Sequence, residues 1–379
     1  MKYNTYTYDD LGTTARFASF QPTDGISEGH LMITVENPQG GFKSQLDAVT
    51  GTLSRFRELL PQSMHPVFKR YFLSDAANQA HELPIHEECA VSVVEQPPLS
   101  GSKVALWVYF QEQVEVTSLE CGLFSVSHGN YRHLWQGSAN CPGLHSAMAT
   151  RALLGDLAIN LENEGGRLSD NCVRTWFFVQ NVDVNYRGVV DGRNEMFKTA
   201  GLTDDTHFIA STGIGGRHAD HNVIVEMDSY SVNGLAPGQM GYLYAADRMN
   251  RTAEYGVAFE RGTTVDYGDR RHIFISGTAS IDNRGEIMYP DDVARQTERM
   301  LGNVSALLNE AECGFDSLCH AIVYLRDVAD YKTVRHLIDV ALPSTPRVIV
   351  YAPVCRPGWL IEMECMATIP VCNHEYAPL

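Results

Sequence analysis

The chain of 379 residues has no apolar run near the roughly 18 residues that span a bilayer, so no membrane span is expected. Its opening stretch, MKYNTYTYDD, lacks the apolar core of an export signal. The nine cysteines stand singly, with no CxxC pair. An odd count without an export signal points to reduced thiols and a cytoplasmic protein. There is no basic run, and the formal net charge is −17, which argues against a nucleic-acid partner held by its phosphates. No GxSxG elbow is present, and Ser211–Gly216 is neither a Walker loop nor a GxGxxG turn. His218, Asp220 and His221 share a Gly-rich loop that does not fix ligand geometry, so no metal and no cofactor is expected.

What is present is a repeated pattern. In the stretch 271–311, the apolar run Ile273–Ile275 closed by Ser276-Gly277 reads as a buried strand. Pro290-Asp291-Asp292 then opens a helix whose Val293, Met300, Leu301, Val304, Leu307 and Leu308 form one apolar face. LWQGSAN from Leu134 parallels FISGTAS from Phe274 without a gap, although the preceding Arg-His pair is displaced by one residue. YFLSDAAN from Tyr71, FVQNVDVN from Phe178 and YLRDVADY from Tyr324 form a second matched set. VEMDSYSV from Val225 and IEMECMAT from Ile361 form a third, with acids at the same two places. The expectation is an α+β fold of three tandem units, each β-β-α-β-α-β-β, over residues 1–116, 117–245 and 246–379. Residues 1–30 are polar and hard to place.

Phe274–Ala279, Gln296-Thr297, Asn303, Pro346-Arg347 and Ile361–Glu364 resemble the Rid superfamily, also called YjgF or L-PSP. Members are small domains that assemble as homotrimers with sites in the clefts between subunits. The resemblance therefore implies a covalent pseudo-trimer of chorismate mutase-like units, monomeric or dimeric in solution. It also implies that Arg347 binds a substrate carboxylate and that Glu362, fifteen residues later, handles a water or proton. A planar guanidinium suits the first task, and a carboxyl with its pKa raised by burial suits the second. Glu362 and Glu364 alternate along a strand and so share a face. Ser211 or Thr212 lies near the arginine's place in the second unit, and Cys89 near it in the first. Phe259 stands near the place of a substrate-stacking tyrosine, and Arg261 is a second candidate carboxylate ligand. Arg174 is a weaker one.

Arg174-Thr175-Trp176, Ser211–Gly215, Phe259–Arg261 and Ser276–Ile281 are also similar to motifs of chorismatases, a larger Rid-related group. Chorismatases that make hydroxybenzoate resemble this chain at Cys355, seven residues before Glu362. Two functional classes follow. One is a cofactor-free hydrolase, deaminase-like or chorismatase-like, acting on a small carboxylate metabolite, with Arg347 and Glu362 on one wall of the third unit's cleft. The other is a Rid-fold protein that binds such a metabolite without turning it over. The lost arginines and the missing tyrosine favour the second class, and Arg347 with Glu362 favours the first.

Overall fold

The computed structural model describes residues 1–379 except 24, 85–87 and 121. The polar start folds as sheet because alternation, not hydrophobicity, is its signal. In KYNTYTY, Tyr6 and Tyr8 face the first unit's core while Thr5 and Thr7 face outward. This edge strand β1 (Lys2–Tyr8) is followed by β2 (Thr13–Phe20), β3 (Glu28–Val35), α1 (Phe42–Arg57), β4 (Met64–Leu73), α2 (Ala76–Gln79), β5 (Ala90–Glu95) and β6 (Val104–Glu112). The sheet order is β1-β2-β3-β6-β4-β5. Leu46, Val49, Leu53 and Phe56 of α1 bury against its inner face, as the helical spacing of these residues requires.

The second unit repeats the plan with β7 (Glu115–Ser118), β8 (Phe124–His128), β9 (Tyr131–Asn140), α3 (Ser146–Asn163), the short α4 (Leu168–Asn171), β10 (Cys172–Val179), α5 (Val182–Thr199), β11 (Ala210–Gly215) and β12 (Val225–Asn233). The third has β13 (Met240–Leu243), β14 (Gly262–Asp266), β15 (Arg270–Ala279), α6 (Val293–Glu310), β16 (Leu318–Leu325), α7 (Tyr331–Ala341), β17 (Arg347–Tyr351) and β18 (Ile361–Pro370). Asp292 starts α6 by accepting from the backbone N–H of Arg295 at 3.0 Å, as the acidic opening of this helix suggests. The sheet orders, β7-β8-β9-β12-β10-β11 and β13-β14-β15-β18-β16-β17, match the first. Each unit thus carries one more edge strand than the expected pattern. The second and third sheets begin at Glu115 and Met240, ahead of the expected joins at 117 and 246, because strands this short and polar leave no apolar signal.

The units close a ring. The edge strand β5 packs on β9, β11 on β15, and β17 on β3, and bridges between Glu95 and Arg217, Ile214 and Val354, and Pro98 and Val350 tie each unit to the other two. Register fixes which residues correspond. Val91, Ser211 and Arg347 pair with Lys69, Thr175 and Ala321 of the neighbouring strands. Three residues on, Phe72, Phe178 and Tyr324 pair with Ala105, Glu226 and Glu362. The arginine's place in the first unit therefore falls to Val91, not Cys89. His133 and His272 pair with Val232 and Thr368, and a one-residue bulge follows in both strands. That register aligns the Arg-His pairs and sets Ser138, with φ 54°, where the third unit has Gly277, one residue off the ungapped match.

Candidate active site

One cavity sets a buried carboxyl beside a buried arginine whose Nε and Nη2 have no hydrogen-bond partner among the described residues. It lies where β11 and α5 of the second unit meet β15 and β18 of the third. Glu362 lies on its wall, 5% exposed. Burial, with the charge of Glu364 second, raises its carboxyl to about 8, against the pull of Arg174 and Arg261. Its room comes from Gly277: a Cβ there would lie 2.2 Å from Oε1 of Glu362.

Three arginines line the same cavity, and none has a carboxylate ion-pair partner among the described residues. Arg193 of α5 is 1% exposed, its Nη1 lies 3.4 Å from Oγ of Ser211, and its Nε and Nη2 have no hydrogen-bond partner among the described residues. Arg261, 4% exposed, donates through Nη2 to the carbonyl of Asn250 at 3.0 Å. Phe259 lies beneath both guanidinium groups, 5.6 Å from each. Arg356 stacks on Tyr255 at 4.7 Å and on Trp359 at 5.1 Å. Buried cations without counter-ions are costly, so this arrangement has the chemistry to hold an anion with an apolar body. Cys355 shares the wall, with its thiol pushed up to about 12 by burial and by Glu362. At neutral pH it is a neutral thiol and not a nucleophilic thiolate.

Of the residues the sequence singles out, the structure brings Glu362, Arg261, Ser211, Phe259 and Cys355 to this cavity. It places the others elsewhere. Thr212 and Glu364 lie behind the wall: Thr212 Oγ1 donates to Oε2 of Glu364, which also accepts from Arg174 Nη2 at 2.9 Å, while its Oε1 accepts from Trp176 Nε1 at 2.8 Å. Glu364 therefore has its lone pairs occupied and does not face a ligand. Arg174 is spent on this carboxylate and on Ser276 Oγ at 3.0 Å. His218 and Asp220 shape an exposed turn, with the Asp220 N–H donating to His218 Nδ1 at 3.0 Å.

Arg347 is the main correction. It lines the cleft between the third and first units beside Arg16, Tyr331 and Arg335, and it is ion-paired to Asp339. Strand β16 separates β17 from β18, so Arg347 and Glu362 are about 10 Å apart across the sheet and a further 10 Å or so along it. The family spacing holds along the chain, but the two residues face different neighbours. Each cleft has lost something. The second–third cleft keeps the acid and has Ser211 at the arginine's place, and the third–first cleft keeps Arg347 opposite Ala105. The first–second cleft holds Glu226 but is closed, because a Cβ at Gly137 would lie 2.1 Å from the carbonyl oxygen of Val91.

Arg193 escapes a motif-based reading. The available signal is its place four residues after Val189 and four before Phe197, on the apolar face of α5, where a buried arginine needs a reason. Replacing it by methionine should weaken binding of an anionic ligand about 10- to 100-fold, as loss of a charge-assisted contact worth roughly 1.5–3 kcal/mol requires. Arg347→Ala should leave that affinity within about twofold by isothermal calorimetry, since additive sites do not couple at this distance.

Comparison with known proteins agrees with this architecture. The family model described as endoribonuclease L-PSP matches residues 263–369. A 2-iminobutanoate/2-iminopropanoate deaminase of Bos taurus is 30% identical over 99 residues, which are 26% of this chain and 72% of the relative. A RutC family protein of Pyrococcus abyssi is 32% identical over 98 residues, 25% of this chain and 76% of the relative. The chain belongs to the endoribonuclease L-PSP family, the Rid or YjgF superfamily. A chorismatase crystal structure shares its fold at a TM-score of 0.65 and 18% identity, covering 80% of this chain and 92% of that one. Among the described residues no helix is long and apolar enough to cross a membrane.

Proposed function

We propose that the chain is an acid-catalysed hydrolase of the chorismatase kind, acting on a small carboxylate that carries an enol-ether double bond. The observation that carries this reading is Glu362, a carboxyl that holds its proton at neutral pH on the wall of a cavity lined by arginines without counter-ions. Arg193 and Arg261 would hold carboxylate, and Phe259 and Trp359 the apolar body. Glu362 transfers its proton to the terminal carbon of the double bond, leaving an oxocarbenium ion. Water adds to that ion and loses a proton to the Glu362 carboxylate. The resulting hemiketal breaks to a ketone and an alcohol. This acid–base chemistry needs no group beyond these side chains and water.

A deaminase reading, suggested by the names of the relatives, uses the same proton on an enamine and releases ammonia. Ser211 at the arginine's place and the separate cleft of Arg347 favour the chorismatase kind. The purified chain should consume chorismate, followed by liquid chromatography, and should release little ammonia from 2-iminobutanoate made in situ. The reverse result would make it a deaminase. Neither turnover, with a melting shift on adding chorismate, would make it a binding protein. Because the acid must be protonated, activity should persist through neutral pH and fall as the pH rises through about 8. A rate that falls only below pH 6 and is flat to pH 9 would assign Glu362 to base chemistry instead.

A further inference from the structure

No residue of the first unit lines the cavity, yet that unit reaches the site through Arg70. Arg70 is fully buried and ion-paired to Asp228 at 2.7 Å and to Glu364 at 3.5 Å. Arg174 of the second unit holds Glu364 at 2.9 Å, and Trp176 and Thr212 complete its hydrogen bonds. All three units thus converge on one carboxylate, which stands two residues from Glu362 on the same strand and face.

We infer that Glu364 is a positioning residue for the reaction: held between Arg70 and Arg174, it keeps the proton on Glu362 by charge repulsion. The inference rests on the reading of Glu362 as the acid. The charge count supports it. Two buried cations, Arg70 and Arg174, meet two buried anions, Asp228 and Glu364, so these four groups balance with no charge needed on Glu362. The second unit repeats the arrangement, since Glu226 stands in the same relation to Asp228 and is raised far above its ordinary range by burial and then by Asp228. Every other group facing Glu362 is either neutral or of opposite charge. Tyr186 and Arg193 come from α5, Arg174 from β10, Tyr324 from β16, Tyr255 and Arg261 from the segment before β14, and Cys355 and Arg356 from the loop before β18; β15 presents no titratable group to the cavity. The arginines among these draw the proton off, so Glu364 is the one anion beside the acid that opposes them. Thr212 couples the network to the cavity wall as well, by accepting from the Gly277 N–H at 2.9 Å.

The test follows the protonation of Glu362 directly. The carboxyl infrared band that disappears in Glu362→Gln is titrated in the wild type and in Glu364→Gln, beside the pH profile of turnover. The expected result is a protonated Glu362 at pH 7 in the wild type, and a titration moved at least about one pH unit downward in Glu364→Gln. The alkaline limb of turnover should move with it. Should Glu364→Gln fail to fold, the double variant Arg174→Met/Glu364→Gln, which removes the cation with the anion, should give a shift in the same direction. Trp176→Phe, which removes a hydrogen bond but no charge, should leave the titration in place. A Glu362 that titrates identically with and without the neighbouring charge overturns this inference while leaving the acid itself intact. A Glu362 already ionised at pH 7 in the wild type overturns both the inference and the acid on which it rests.

Discussion

Glu362→Gln should abolish turnover by roughly 10²–10⁴-fold, the range that a positioned proton donor contributes, while binding of the anionic substrate changes little. The amide has the shape of the protonated acid and keeps its hydrogen-bond donor, but it cannot release a proton. The variant should also be more stable than the parent, by an amount that depends on pH. The parent carboxyl titrates near 4.5 unfolded and at about 8 folded. Below 4.5 both states are protonated and there is no penalty. As pH rises from there to about 8 the unfolded chain gives up the proton that the folded chain retains, and stability is lost. Glutamine has no such loss, so the difference in melting temperature should be small at pH 4.5, grow through pH 7 and level off above about 8. A catalytic loss without this stability trend would mean that Glu362 is an ordinary ionised carboxylate, and the acid role would fall.

The physical reason the acid was legible in the sequence is that β18 carries its own evidence. Two acids alternate with apolar residues on a strand buried on both faces, and such acids require either partners or a function. The structure gives Glu364 the partners and leaves Glu362 for the cavity. The tandem units were legible for a similar reason, since helix and strand periods recur in the same order. The edge strands β7 and β13 were not, because they are only four residues long and largely exposed. The site's second half was not legible because a cleft between units joins residues with no fixed spacing. Arg193 and Gly277 are eighty-four positions apart and meet only when β11 packs on β15. Arg347 shows the converse. A correct spacing to Glu362 along the chain says nothing about which neighbouring unit each residue faces, and the ring closure turns the two toward different clefts. The divergent first unit has Val91 and Ala105 at the places that Ser211 and Arg347, and Glu226 and Glu362, take in the other two, so it supplies neither a polar group nor an acid to the clefts it borders.

Gly277→Ala should cost about 10²-fold in kcat at nearly unchanged stability. A Cβ at this position would meet Oε1 of Glu362 at 2.2 Å and its Cδ at 2.9 Å, whereas the next contact, Thr212 Cγ2 at 3.1 Å, is relieved by a shift of a few tenths of an ångström in that methyl group. The obstructing atoms are the end of a flexible side chain, so the carboxyl swings aside and the backbone stays in place. Gly277 does not have a positive φ, so alanine adds no backbone strain. The fold is therefore spared, and the acid is displaced by an ångström or more from the position where it meets the substrate. A misplacement of that size is worth about 10²-fold when the donor must lie within hydrogen-bond distance of the reacting atom. The effect should appear in kcat more than in KM, because the arginines that hold the anion are not touched by the new methyl group. Shortening the acid restores room, so Glu362→Asp in the Gly277→Ala background should recover part of the rate, although the same change in the parent lowers it. Equal rates for Gly277→Ala and the parent, with melting temperatures that match, would show that the acid does not work from the position it occupies beside Gly277.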